Sequence, residues 1–487
     1  QKTLRTIVNL AEDGLDTSEP VVSRNDIYAS VDEVLDTGTP YGPLLRTVEL
    51  PLDDAPGVYL WCIIYPMALL YALCSHSKRF AKLLFSSIPA SGICRIALYT
   101  DETIPGNQNS PDRSRLTQCI YWTLLELPSW FRTFGILRVA LQKDVKAGLS
   151  GVMRVVLRSF FSPGGFNFDV GMRLPRSWDF VAGGRQDYFQ LKARLGCYVQ
   201  DGKAHAEVHG VKGPSGMKAC LECKNCARAK LEDIAGDPYL RHISLATPDE
   251  FDLHTTESFF EAADVVETLT LQRESGGDNC LTKGQLEDLE KFLGIEYCPD
   301  GLVFDRYLRP YASPIEHTVW DWMHNVAASG GIAQYEVNRF CLYLLVMGAN
   351  FSLAALDSFQ QQICWPMALR NTLSKEFFQN RVQSGENSHL RAFAGECVCA
   401  VFALTLFAEM VLRPCGIMLE HCDCMVLMFT IIQIFGGHDH GASVADELMR
   451  CLVDHHKLYL KLYGMAVAKP KIHYLYHSAM MLMKLMV

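Results

Sequence analysis

The feature that most constrains this chain is a pair of metal-ligand spacings placed far apart. Cys220-x-x-Cys223 follows a turn-rich run, Val211-Lys-Gly-Pro-Ser-Gly216. Two thiolates two residues apart on a turn can face one tetrahedral ion, so this is half of a zinc site. Near the other end of the sequence His473 and His477 stand four apart in KPKIHYLYH. On a helix, which Pro470 suits as a first-turn residue, both imidazoles project from one face. Together the four make a Cys2His2 set that would pin the C-terminal part of the chain to the segment holding the cysteines. Other arrangements stay open. His205 and His209 are a rival pair at the same spacing, close enough for a local knuckle with Cys220, Cys223 and Cys226. His473 and His477 could equally be interfacial histidines of an amphipathic helix.

Just before the cysteines, Leu191–Val199 is apolar enough for a buried strand, and Asp201 stands at its end with Gly202 behind it. A second strand, Ile93–Asp101, also ends on a carboxylate. Thr117–Leu127 and Phe131–Val139 read as two further strands. Leu149–Phe161 has apolar residues at helical spacing, giving the order strand, strand, strand, helix, strand. If the first and fourth strands are neighbours, Asp101 and Asp201 are neighbours too. Adjacent carboxylates repel and need a cation between them. A pair of Mg²⁺ ions held there would activate a hydroxyl and stabilise the leaving oxygen of a phosphodiester. Taken singly, each Asp is also an ordinary turn or cap residue. Asp321 and His324, three apart in DWMHN, are a capping or hydrogen-bonded pair, a pair supporting metal ligands, or ligands themselves.

The rest of the chain bounds the class. It has 487 residues, 49% hydrophobic and 20% charged, which suits two or three globular cores. A formal charge of −9 argues against a protein that coats nucleic acid through a generally basic surface, and leaves room for a local basic groove. Eighteen scattered cysteines do not resemble a secreted disulfide scaffold and suggest a reducing compartment. The sequence begins with Gln, so it is read as a fragment. Gly57–Cys74 carries no charge over eighteen residues, but Pro66 interrupts it and a buried helix pair is expected. Trp61–Ile88 accordingly reads as two helices. Ala400–Ala408 and Met425–Phe435 are apolar and too short to span a membrane. The expected organisation is a lead-in and helical segment over 1–90, the first part of a sheet core over 91–215, a polar metal-binding insertion over 216–310, and a helical region over 311–487.

The series Asp101, Asp201, GVKGPSGMKACLEC, DWMHN and Pro-Lys-x-His-x-x-x-His resembles eukaryotic cut-and-paste DNA transposases. The likeness is to the CACTA/Mirage/Chapaev and Plavaka-like groups, and more distantly to Transib and the V(D)J recombinase catalytic subunit. It covers roughly residues 93–480, mostly as sparse motifs. The resemblance implies an α/β fold: an RNase H-like mixed-sheet catalytic core, interrupted and followed by a large, mainly helical, zinc-stapled region. It implies Mg²⁺ or Mn²⁺ at Asp101 and Asp201, and structural Zn²⁺ at Cys220, Cys223, His473 and His477. A third catalytic acid is required. Either it lies beyond Val487 or Glu396, an acid opening an apolar helix in Phe393-Ala-Gly-Glu396-Cys, takes its place. The partners implied are double-stranded DNA, as transposon ends and target, and further copies of the chain, with no membrane and a nuclear location. The alternative is a transposase-derived protein that has lost catalysis and binds DNA or protein.

Overall fold

A computed structural model describes residues 38–484 apart from 54–56, 105–112, 181–185, 214–215, 229–233, 235, 277–279, 329, 348–350, 386, 438–441 and 466–468. The expected lead-in over residues 1–37 and the turn-rich loop beyond Asp101 lie outside the described residues. So does the centre of the turn before the cysteines.

The expected helix pair forms, but it starts at Pro66, and a hairpin takes the residues before it. Leu45–Pro51 (β1) and Val58–Ile64 (β2) form an antiparallel hairpin in which Leu50 faces Tyr59 and Val48 faces Trp61. The first half of the uncharged run is rich in β-branched and aromatic residues, and the pleat accommodates them better than a helix does. Pro66 then opens α1 (Pro66–His76), where its missing N–H costs nothing. Ser77 caps α2 (Lys78–Ser87) by accepting from Phe80 N at 3.1 Å.

The central sheet follows. Its strands are β3 (Ile93–Thr103), β4 (Thr117–Leu124) and β5 (Arg132–Arg138), which form an antiparallel meander. Helix α3 (Gly148–Phe160) crosses over, and two strands come after it: β6 (Met172–Phe180), which no sequence signal announced, and β7 (Gln186–Gln200). β7 pairs parallel to β3 and antiparallel to β6. After a short helix, α4 (Gly202–His209), the chain leaves the sheet and returns much later as β8 (Thr318–Trp320), parallel to β7. The spatial order is β8-β7-β3-β4-β5. Leu149, Val152, Met153, Val156, Leu157 and Phe160 of α3 are all buried in the sheet core, as their spacing predicts. Each such side chain contributes about 1.5–3 kcal/mol of transfer free energy, so this stripe sets the helix orientation.

Between β7 and β8 lie the cysteine turn and two helices, α5 (Thr256–Glu274) and α6 (Lys283–Leu293). Both open on a capping box, at Thr255 and Thr282. After β8 the chain is helical: α7 (Trp322–Val326), α8 (Ile332–Val346), α9 (Ala394–Phe407), α10 (Leu419–Gly436), α11 (Ala442–Tyr463) and α12 (Pro470–Lys484) are its main elements. These helices have their own apolar core, separate from that of the sheet. A third core surrounds the cysteine turn and includes Trp320 of β8 and Tyr474 of α12. Ala394–Cys415 and Leu419–Gly436 are long and apolar enough to cross a membrane, longer than the short apolar runs suggested. Both supply buried residues to the helical core.

Candidate functional site

The cysteine turn and α12 meet. Ligand atoms of Cys220, Cys223, His473 and His477 lie within 4.8 Å of one another, and all four residues are buried. Cys220 Sγ is 3.2 Å from His477 Nε2, and Cys223 Sγ is 3.4 Å from each imidazole Nε2. The two nitrogens are 3.1 Å apart. Zinc–ligand lengths of about 2.0–2.1 Å to nitrogen and about 2.3 Å to sulfur give tetrahedral edges of about 3.3 Å (N–N) and about 3.6 Å (N–S). The observed edges match those of a tetrahedron to within a few tenths of an ångström. The cluster can hold a metal ion such as zinc.

Its electrostatics split the two thiols. Burial works against charge on Cys220, but Cys223 and both imidazoles hold its thiol well below the usual range. Burial, reinforced by the Cys220 charge, pushes Cys223 up. Burial lowers His473, keeping the imidazole neutral as a ligand requires. Behind the ligands, the Glu222 carboxylate stands 3.6 Å from His477 Nδ1 and accepts from Trp320 Nε1. A carboxylate behind a histidine orients the ring and raises its basicity. Tyr474 stacks on Trp320 at 4.0 Å and donates to Ala219 O at 2.9 Å.

The rival arrangements do not form. His205 and His209 are buried on α4, stacked at 6.0 Å, with His205 Nε2 against Val319 O. His205 packs against Trp320 of β8 and His209 against Tyr198 of β7, and neither joins the four-ligand cluster. Cys226 is buried in a short bridge with Arg241 and lies outside the four-ligand cluster.

The acids gather just beyond the C-terminal end of β8. Tyr99 pairs with Val199, and Gln200 pairs with Trp320. Asp101, Asp201 and Asp321 therefore follow at one level on three adjacent parallel strands. Gln200 Nε2 donates to Thr100 Oγ1 at 2.9 Å, and Asp321 N donates to Gln200 O at 2.9 Å, which locks that level. All three acids line a cavity of about 230 Å³ together with His324 and Lys203. Asp201 also caps α4, accepting from Ala204 N at 2.7 Å. Asp321 caps α7, accepting from Met323 N at 2.9 Å, and pairs with His324 Nδ1 at 2.7 Å. Capping and pairing are thus both realised, at a position beside the other two acids.

Loss of water raises Asp101, and the Asp201 charge adds to it. Burial also pushes on Asp321, but His324 and two backbone N–H groups hold it below the usual range. The bond to Asp321 raises His324 most, helped by the charges of Asp201 and Asp101. Protonated, the ring beside Asp321 would offset part of the repulsion among the three carboxylates.

Glu396 is not among the residues lining this cavity. Its carboxylate accepts from Phe393 N at 2.8 Å and from Arg381 Nη2 at 3.1 Å, closing the N-terminus of α9. A carboxylate in a helix's first turn is stabilised by the dipole and the free N–H groups, and this one is used there. Asp321 is the third acid at the strand ends. The signal for it was the DWMHN motif, but the three-residue strand that aligns it left no periodicity to read.

A groove of about 950 Å³ continues from Asp201, lined among others by Lys218, Tyr335, Lys469 and Lys471. Lys218 lies over the ring of Phe292 and Lys469 over that of Tyr335. No family model and no curated protein sequence matches the chain.

Proposed function

We propose that this chain is the catalytic part of a DDE-type DNA transposase, a metal-dependent enzyme of phosphodiester cleavage and strand transfer. The observation that carries the reading is the level placement of Asp101, Asp201 and Asp321 on three neighbouring parallel strands. On this reading the β8-β7-β3-β4-β5 sheet is an RNase H-like core and the Cys2His2 cluster holds a structural Zn²⁺. Three carboxylates are a hard-oxygen donor set suited to Mg²⁺ or Mn²⁺. When bound, such ions polarise the phosphodiester and lower the pKa of the attacking hydroxyl. Asp101, Asp201 and Asp321 would hold them, and His324 would orient Asp321. The lysine-bearing groove beside Asp201 would receive the DNA backbone. Double-stranded DNA as substrate, assembly of further copies on paired transposon ends, and a nuclear location follow from this reading.

A second reading is a transposase-derived protein that keeps the stapled fold and binds DNA without cutting it. It is favoured by the helix-capping bonds that Asp201 and Asp321 already make. Mg²⁺-dependent nicking of duplex DNA separates the two. Under the first reading wild type cleaves, Glu396→Gln cleaves equally, and Asp101→Asn, Asp201→Asn and Asp321→Asn each lose at least about a hundredfold, two tenfold steps of about 1.4 kcal/mol. Cleavage that survives Asp321→Asn would remove that acid from the site. DNA binding without any cleavage would select the second reading.

A further inference from the structure

We propose a second metal centre inside the helical region, formed by Glu336 of α8, Cys424 of α10 and His455 of α11, taking a zinc-class divalent ion. One ligand atom from each residue lies within 4.8 Å of the others. Glu336 and Cys424 are 0% exposed and His455 1%. His455 Nε2 stands 2.7 Å from Glu336 Oε2. The other carboxylate oxygen, Oε1, has no hydrogen-bond donor among the described residues.

The surroundings make that carboxylate unusual. Elsewhere in the helical region buried polar groups are partnered, Asp357 by Phe378 N and Asn338 by Gln383 N, whereas a buried carboxylate with an unsatisfied oxygen is costly unless a cation meets it. Three more buried polar atoms nearby also have no partner among the described residues: Arg339 Nε, His421 Nε2 and Tyr463 OH. The Cys424 thiol faces the same carboxylate.

One thiolate, one imidazole and one carboxylate are a donor set that zinc accepts. The charges also close: a divalent cation with one thiolate and one carboxylate is neutral, so the centre adds no net charge to the core. Three protein ligands leave a fourth coordination position. The centre would tie together three helices of the helical core, just as the Cys2His2 cluster ties α12 to the cysteine turn. It is independent of any catalytic role for the three aspartates.

Elemental analysis of the purified full chain tests this. The expected result is about two zinc ions per chain, falling to about one in Cys424→Ser and in His455→Ala and, independently, in Cys223→Ser. Cobalt substitution supplies a readout that does not depend on a variant folding. In the unmutated chain, thiolate-to-cobalt absorption should correspond to three thiolates rather than two, and stepwise chelation should remove it in two phases. A single zinc per chain, unaltered by Cys424→Ser, would overturn the proposal and leave a hydrogen-bonded Glu–His pair beside a thiol. A cobalt spectrum of two thiolates lost in one phase would overturn it equally.

Discussion

Removing the ion from the Cys2His2 cluster should loosen the C-terminal helices far more than removing one hydrogen bond would. Cys223 and His473 are 250 residues apart, so an ion bound there would close a very long loop. Treated as a cross-link in the chain-entropy picture, a loop of that length restricts the unfolded chain by about 2.1 + 1.5R ln 250 cal/mol/K, or about 5.5 kcal/mol at 25 °C. For a unit of a few hundred residues each kcal/mol moves the midpoint by about 2–4 °C. Chelation should therefore lower the first thermal transition by about 11–22 °C. Buried thiols and imidazoles left without their ion add to that loss.

The assay is calorimetry on the holo protein, on chelated protein, and on Cys223→Ser and Cys226→Ser variants, each with its zinc content measured. Cys223→Ser should behave as the chelated protein does. Cys226→Ser should keep its metal, because Cys226 is buried on the same turn but outside the cluster. A chelated, metal-free protein that melts within about 2 °C of the holo form would refute the cross-link argument. Metal lost in Cys226→Ser and kept in Cys223→Ser would refute the ligand assignment.

Two further outcomes follow from the same geometry. Glu222→Gln keeps the shape behind His477 but removes the charge, and should weaken zinc about 10–100-fold in a chelator competition; an unchanged affinity would detach Glu222 from the site. Asp305 is buried and accepts from Arg154 Nε at 2.9 Å and Arg158 Nε at 2.7 Å, joining α3 to the segment that leads into β8. Because both arginines are partly exposed, Asp305→Asn should cost about 2–3 kcal/mol in urea unfolding, below the range for fully buried pairs. Burial pushes the Asp305 carboxyl up, but the two guanidiniums hold it below its usual value. Its stabilisation is therefore fully present above the unfolded-state pKa of about 3.9 and is lost as pH falls through the lower folded value. The gap between wild type and variant should close in that acid window, and a gap that stays constant down to pH 2 would contradict the pairing.

The elements that were legible in the sequence are those with an internal period. The α3 stripe, the β3–β4–β5 meander and the helix that Glu396 opens, α9, all stand close to where their residue spacing puts them. Local ligand spacing was legible too, since Cys-x-x-Cys and an i, i+4 histidine pair each describe one turn of backbone. Three features were hidden, each for its own reason. β2 was read as helix because its apolar run continues unbroken into α1. β6 carries Pro175 and two arginines, which blur alternation, and β7 covers it. β8 is three residues long, and its position depends on a parallel partner more than a hundred residues away in sequence. That short strand is why residue spacing alone could not place Asp321 level with Asp101 and Asp201. The Glu336, Cys424 and His455 group has no signature at all, since each ligand comes from a different helix.

The metal cluster and the acidic cleft are parts of one construction, and α12 is the element that joins them. Within two turns it carries Lys471, His473, Tyr474 and His477. The histidines face the thiols, and Tyr474 stacks on Trp320, the residue immediately before Asp321. Glu222, between the two cysteines, takes the other side of Trp320 through its indole N–H. Lys471 Nζ donates to the carbonyls of His324 at 2.7 Å and Ala328 at 3.0 Å, at the end of the short helix that Asp321 caps. Burial lowers Lys471 to about 8, while Asp201 and Asp321 pull it the other way. A three-residue strand and a five-residue helix have too few bonds of their own to hold a carboxylate in place. The strand end that carries Asp321 is therefore clamped from outside, by the two segments that the metal cluster brings together. An ion held by the Cys2His2 cluster, with no place in the acidic cleft, would thereby govern the position of one of its three acids.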